Sequence, residues 1–147
     1  MKRGKKTILC PVDFSPGSEE LLQYCSDMYG EDAEIIVLHA ANPDTADREM
    51  QMKECLHIFS RYSDRLSIHH CEVRFALEYG PAWSVITGFA KKHAVDLIVI
   101  GSHGATGLTR LLVGSTAEKV MRQAPCAVMV LRLPEYRSPG IEASRAG

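Results

Sequence analysis

The sequence has no apolar run approaching the ~20 residues that cross a bilayer, so neither a membrane span nor a membrane partner is expected. The basic start, Lys2, Arg3, Lys5 and Lys6, leads into a short apolar run that Pro11 and Asp13 interrupt, which makes a poor signal peptide. Excess charge of one sign is also lacking. Lys and Arg number 17 against 18 Asp and Glu, a formal net charge of −1, which leaves no electrostatic footprint for nucleic acid. The early cations read as a solvated tail ahead of a strand. Paired cysteines are missing too: Cys10, Cys25, Cys55, Cys71 and Cys126 are odd in number, form no CxxC and sit among apolar residues. They read as small core hydrophobes in a reducing, cytoplasmic setting rather than as a disulfide frame or zinc site.

Signatures of dedicated chemistry are absent in turn. There is no G-x-x-x-x-G-K-S/T, hence no Walker-type loop, and no G-x-G-x-x-G. Neither a G-x-S-x-G elbow nor HExxH occurs. His39, His57, His69, His70 and His93 have no partners at metal-ligand spacing, and neighbours such as His69 and His70 point to opposite faces of a strand. No metal site is expected.

What remains is a chain of 147 residues, 46% hydrophobic and 24% charged, close to the globular average and long enough for one domain with a real core. The spacing predicts a strand over Thr7 to Val12, with Pro11 at its end. Asp13-Phe14-Ser15-Pro16 turns the chain, and Ser15 before Pro16 reads as an N-cap followed by proline at the first helical position. Leu21, Leu22, Cys25, Met28 and Tyr29 then recur at helical spacing, with Gly30 as the stop. Glu34 to Ala40 is a second strand, apolar without alternation and so covered on both faces. A second helix is expected from Asp47 to Ser63, with Met52, Cys55, Leu56, Phe59 and Tyr62 as its core stripe. Ser67 to Leu77 alternates, the mark of an edge strand with one wet face. Gly80-Pro81 opens a third helix that buries Val85, Ile86, Phe89 and Ala90, carries Trp83 as a packing residue and ends in Lys91, Lys92 and His93, where cations meet the helix dipole. Asp96 to Ile100 is a fourth strand. Ala117, Val120, Met121 and Ala124 mark a fourth helix, and Ala127 to Leu131 a fifth strand.

This alternation predicts an α/β fold: an open, five-stranded parallel sheet with helices on both faces and right-handed crossovers. Residues 1–133 are read as one domain and residues 134–147, with little apolar content, as a mobile tail. In such sheets ligands sit beyond the carboxyl ends of the strands, where the strand order reverses. If that reversal lies between the first and fourth strands, the loops at Asp13 and Gly101 flank one crevice.

The stretch that gives the crevice its character is Gly101-Ser102-His103-Gly104-Ala105-Thr106-Gly107, with its echo at Gly114-Ser115-Thr116. Glycines let backbone N–H groups approach a ligand, and such groups together with a helix N-terminus make an anion site. Turn formation alone explains the same glycines. Ser115 and Glu118 have the spacing of a capping box, which would account for both, while the same helix start would hold a phosphate through the N–H and hydroxyl groups of Ser115 and Thr116. Asp13 suits a hydrogen bond from a ribose hydroxyl or an adenine amino group, and equally a cap on its own turn. Ala40 is small enough to leave room for a flat ring. His103 and Arg110 would add positive charge beside phosphates or stand as solvated loop residues.

In order along the chain, Pro11-Val12-Asp13-Phe14-Ser15, Val37-Leu38-His39-Ala40, Gly80-Pro81-Ala82 and Asp96-Leu97-Ile98-Val99-Ile100-Gly101-Ser102-His103-Gly104 resemble the universal stress protein family over residues 5 to 132. Gly104 to Gly114-Ser115 fits that family's G-x2-G-x9-G-S/T pattern, found in its ATP-binding branch. The resemblance implies strand order 3-2-1-4-5 (Rossmann-like) and an adenine nucleotide, ATP with or without Mg²⁺, in the crevice. It places Pro11, Val12, Asp13 and Ala40 near the adenine, and Gly101, Gly104, Gly114, Ser115 and Thr116 at the ribose and phosphates; Ser102, His103 and Gly107 lie in the same loop. It also implies a homodimer through the last strand, Ala127 to Leu131, whose uniformly apolar edge needs covering. One departure stands at that strand's entry, where the family's Cys-Pro-Val is replaced by Pro125-Cys126-Ala127.

The leading expectation is a cytoplasmic ATP-binding stress-response or regulatory protein in which nucleotide, by fixing the glycine loop, sets the surface shown to partners. An enzyme of the same architecture, a slow ATPase or nucleotidyl-transfer relative, is the alternative. A dedicated hydrolase needs a positioned base and charge-stabilising cations, and only Asp13, His103 and Arg110 offer themselves. A nucleotide-free dimeric interaction module is the third reading, and the intact glycine spacing argues against it.

Overall fold

The computed structural model describes residues 4–67, 71–102 and 113–132. Strands and helices alternate along them: β1 (Lys6–Pro11), α1 (Pro16–Tyr29), β2 (Ala33–Ala41), α2 (Arg48–Ser67), β3 (Glu72–Tyr79), α3 (Ala82–Lys92), β4 (Leu97–Gly101), α4 (Ser115–Gln123) and β5 (Ala127–Leu131). The strands form one parallel sheet in the order β3-β2-β1-β4-β5, as expected. Lys6 stands opposite Ala33 and Pro11 opposite Leu38 on one side of β1, and Ile8 stands opposite Leu97 on the other.

Because side chains alternate along a strand, the sheet feeds two separate cores. Ile8, Cys10 and Val12 join Ile35, Val37 and Val99 on the face covered by α1 and α2. Leu9, Ile36, Leu38, Ile98 and Ile100 fill the face covered by α3 and α4. α1 delivers Leu21, Leu22 and Cys25, and α3 delivers Val85, Ile86, Phe89 and Ala90, as the helical spacing predicts. Leu9, Ile35, Val37, Leu38, Ile98 and Val99 are fully buried, each contributing about 1.5–3 kcal/mol of burial.

The second helix departs most from expectation. Asp47 caps it, its Oδ1 accepting the Met50 N–H at 2.9 Å, and the helix runs on to Ser67. Its buried stripe is Cys55, Phe59, Tyr62 and Leu66, while Met52 and Leu56 are exposed, Leu56 by 57%. Leu56 lies about 100° round the helix from Cys55 and so falls outside a stripe of that width. Met28 and Met121, counted with the apolar faces of α1 and α4, are exposed as well. The longer α2 displaces the third strand, which starts at Glu72 rather than Ser67; His69 and His70 lie outside the described residues.

Gly30 ends α1 in a right-handed conformation (φ −53°), so its reason is space: a Cβ there would meet the Ser26 carbonyl oxygen at 2.6 Å and the Cys71 sulfur at 2.7 Å. α4 stops at Gln123 because Ala124, which precedes Pro125, is held extended (φ −66°, ψ 142°).

Three of the cysteines, Cys10, Cys25 and Cys55, are core residues as expected, while Cys71 and Cys126 are half-buried. Cys10 and Cys25 are buried with their sulfurs 2.8 Å apart, and all five are free thiols. Burial raises the Cys25 thiol well above its ordinary value and pushes Cys55 up to about 11, which suppresses the reactive thiolate. Among the described residues no helix is long and apolar enough to cross a membrane.

Two measurements check this core. Leu38→Ala should destabilise the protein by about 2–5 kcal/mol in urea titration, because the neighbouring strands cannot collapse into the space. A thiol reagent applied to the native protein should modify only the half-buried Cys71 and Cys126, with Cys10, Cys25 and Cys55 reacting on unfolding.

Candidate functional site

The strand order reverses between β1 and β4, so the loops that leave their carboxyl ends part company there. Asp13 sits on the first of these loops. Its backbone N–H donates to Ser18 Oγ at 3.2 Å, and its Oδ1 accepts from the Ser15 N–H at 3.0 Å and the Ser18 hydroxyl at 3.1 Å. The turn-capping role is therefore real. Both accepted bonds fall on the same carboxylate oxygen. Burial alone would raise the Asp13 carboxyl, but the hydrogen bonds from Ser15 and Ser18 outweigh it and hold the group below its ordinary value. Asp13 therefore stays ionised at neutral pH.

The second loop begins at Gly101. The Ser102 N–H donates to the Leu131 carbonyl at 2.9 Å, and the Gly114 N–H donates to the Ser102 carbonyl. The first bond ties the end of β4 to β5, and the second brings Gly101-Ser102 and Gly114-Ser115 together at the start of α4. Gly114 is the N-cap of α4, with extended backbone (φ −64°, ψ 160°) and no side-chain cap. The expected capping box is corrected: the helix starts one residue before the box requires, Ser115 is exposed, and Glu118 pairs with Arg122 at 3.2 Å. The N–H groups of Ser115, Thr116 and Ala117, which no turn of helix precedes, have no acceptor within the helix and stand at the positive end of its dipole. His103, Gly104, Gly107 and Arg110 lie outside the described residues.

Ala40 faces the α3–α4 layer, as do Ala76, Ala82 and Trp83. Trp83 packs there as predicted, with the Lys119 ammonium 5.6 Å from its ring centroid. Pro11 is half-buried at the end of β1. Val12 is turned the other way: its side chain is buried in the α1–α2 core, its N–H bonds the Leu38 carbonyl at 2.8 Å, and its carbonyl accepts from His39 Nδ1 at 2.8 Å. Any share Val12 has in this crevice is through its backbone.

The sequence reading passed over His39 and Phe14. His39 donates that bond through Nδ1–H, since a carbonyl only accepts, and its ring stacks on Phe14 with centroids 3.8 Å apart. Their signal was present in the sequence, an aromatic residue between Asp13 and Ser15 in a tight turn, but it needs the sheet register to become a contact. Among the described residues no group of His, Cys, Asp and Glu side chains is arranged to hold a metal ion.

The arrangement is that of an open α/β protein with its crevice at a strand-order reversal. Residues 5–132 match the Universal stress protein family, and the chain belongs to that family. It is 31% identical over 146 residues to Universal stress protein MJ0531 of Methanocaldococcus jannaschii, covering 88% of this chain and 84% of that one. The solved universal stress protein UspA from Lactobacillus plantarum superposes with a TM-score of 0.74 at 25% identity, over 89% of this chain and 100% of the other. A universal stress protein from Archaeoglobus fulgidus, solved in complex with dAMP, shares the fold with a TM-score of 0.70 at 20% identity, over 86% of this chain and 98% of the other.

Burial holds the His39 imidazole below its ordinary value of 6.5, opposed only in part by the Val12 carbonyl and the Asp13 charge. A depressed histidine contributes stability that is complete above 6.5 and is lost as the pH falls through its lower folded value. Chemical denaturation at stepped pH should therefore show stability falling from neutrality into the mildly acidic range, and a shallower fall in His39→Gln.

Proposed function

We propose that this universal stress protein binds an adenine nucleotide, ATP in the first instance, and uses it as a state-setting ligand in a regulatory, stress-response role. One observation carries the reading. The Gly114–Ser102 hydrogen bond gathers two glycine-bounded backbone segments at an uncapped helix N-terminus, and the β1–β4 reversal sets Asp13 across from them. Backbone donors and a helix dipole suit phosphates; an ionised carboxylate suits a ribose hydroxyl or adenine amino group. The dAMP complex of the Archaeoglobus fulgidus relative supports the choice of an adenine nucleotide.

In this reading Pro11, the Val12 backbone, Asp13 and Ala40 surround the nucleoside. Gly101, Ser102, His103, Gly104, Gly107, Gly114, Ser115 and Thr116 take the ribose and phosphates. Mg²⁺, where present, arrives on the phosphates rather than in a protein cage. Nucleotide alters the protein's dealings with partners to the extent that the bound and free forms differ in affinity for them. The five free thiols suit a reducing cytoplasm. The second sheet edge, β5, is apolar and only half-buried, which favours a second copy of the chain as its cover.

Calorimetric and thermal-shift titration with ATP, with and without Mg²⁺, tests the proposal. Gly104→Val should abolish binding without lowering the melting temperature, and Asp13→Ala should weaken it roughly 10–100-fold. Absence of any response up to millimolar ATP would overturn the reading. Turnover well below one per second that persists in Asp13→Asn and His103→Ala favours a binding protein, whereas faster turnover lost in those variants establishes the enzyme alternative.

A further inference from the structure

Asp13 is gripped from the far side of the sheet. His39 lies on β2 between Leu38 and Ala40, on the opposite face from both, where α1 and α2 cover the sheet. It touches both neighbours of Asp13 at once: Nδ1–H donates to the Val12 carbonyl at 2.8 Å, and the imidazole lies on the Phe14 ring at 3.8 Å with 21° between planes. Phe14 has φ 66°, a left-handed conformation that a bulky residue seldom adopts and that persists only where surrounding contacts enforce it. Those contacts are present. Besides His39, the Phe14 ring meets Phe59 edge-on at 5.8 Å and Tyr62 at 6.3 Å, both from α2. Phe59 is itself packed on Phe75 of β3 at 4.9 Å, which ties the stack into the sheet. Across this left-handed step the Ser15 N–H donates to Asp13 Oδ1 at 3.0 Å.

We propose that His39 and Phe14 form a clamp that positions Asp13 for the nucleoside of the bound nucleotide, an inference that rests on the adenine-nucleotide reading above. Both are positioning residues. Neither contacts ligand, because both lie on the α1–α2 side while Ala40 and the start of α4 lie on the other. The clamp acts on recognition of ribose or base through Asp13 and leaves the phosphate donors at Ser115 and Thr116 untouched.

The test uses the full chain with His39→Phe, which keeps the stacked ring and removes the donor, and His39→Gln, which keeps a donor and removes the ring. The first readout needs no ligand: amide hydrogen exchange at Ser15, whose N–H is bonded to Asp13 Oδ1, compared with core amides of β1. Both variants should exchange faster at Ser15 while the β1 core stays protected. The second readout is calorimetric affinity, expected to fall about tenfold and by the same factor for AMP as for ATP. Unchanged Ser15 exchange in both variants overturns the clamp. Faster exchange with unchanged affinity, or a loss seen for ATP but not AMP, overturns its role in nucleoside recognition, and a lowered melting temperature with neither change marks His39 as a packing residue only. Failure of the wild-type protein to bind either nucleotide overturns the nucleotide reading, and with it the ligand half of this inference, while Ser15 exchange still decides the clamp itself.

Discussion

Strand β1 runs between β2 and β4, and the order of the sheet reverses beside it. That reversal governs the rest of the molecule. Right-handed crossovers that step one way from β1 put α1 and α2 on one face; crossovers that step the other way put α3 and α4 on the opposite face. β1 is therefore covered twice, and Ile8, Leu9 and Cys10 are all buried whichever way they point. The same geometry sends the loops after β1 and β4 apart, which opens the crevice. Fold stability and the place of the site thus share one cause.

The two faces divide the labour. The α1–α2 side is crowded with rings: Phe14 lies on His39 and meets Phe59 and Tyr62, and Phe59 packs on Phe75. The α3–α4 side carries small residues at the carboxyl end, Ala40, Ala76 and Ala82, beside the uncapped start of α4. Bulk on one face stiffens the Asp13 loop from behind; small side chains on the other leave room in front. Under the proposed reading, a nucleotide entering from the α4 side would meet a carboxylate whose orientation is set by residues that it never touches.

The edges of the sheet are handled differently as well. β3 opens with Glu72 and Arg74, which pair with Lys5 at 3.6 Å and Glu34 at 3.1 Å and keep that edge wet. β5 carries Ala127 to Leu131 without a charge. An edge of charged residues deters further strand pairing, and an edge of apolar residues invites a cover.

Sequence alone determined the alternation of strands and helices, the parallel sheet and the identity of the two-sided strands, because unbroken apolar runs such as Ile35 to Leu38 and period-two alternation from Cys71 to Leu77 are local patterns. It also marked Asp13, Gly101 and Gly114 as punctuation with a possible use. It misplaced Met28, Met52, Leu56 and Met121, since membership of a buried stripe depends on where the facing sheet stops. It offered Ser115 either a capping box or a place at a phosphate, and the structure removes the first by making Gly114 the N-cap. Only tertiary structure decided that Val12 faces away from Ala40, and that His39 and Phe14, 25 positions apart in the chain, stack on each other beside Asp13. The reason is physical: a strand's pattern states that a residue points to one face, but which residues share that face is set by the register between strands.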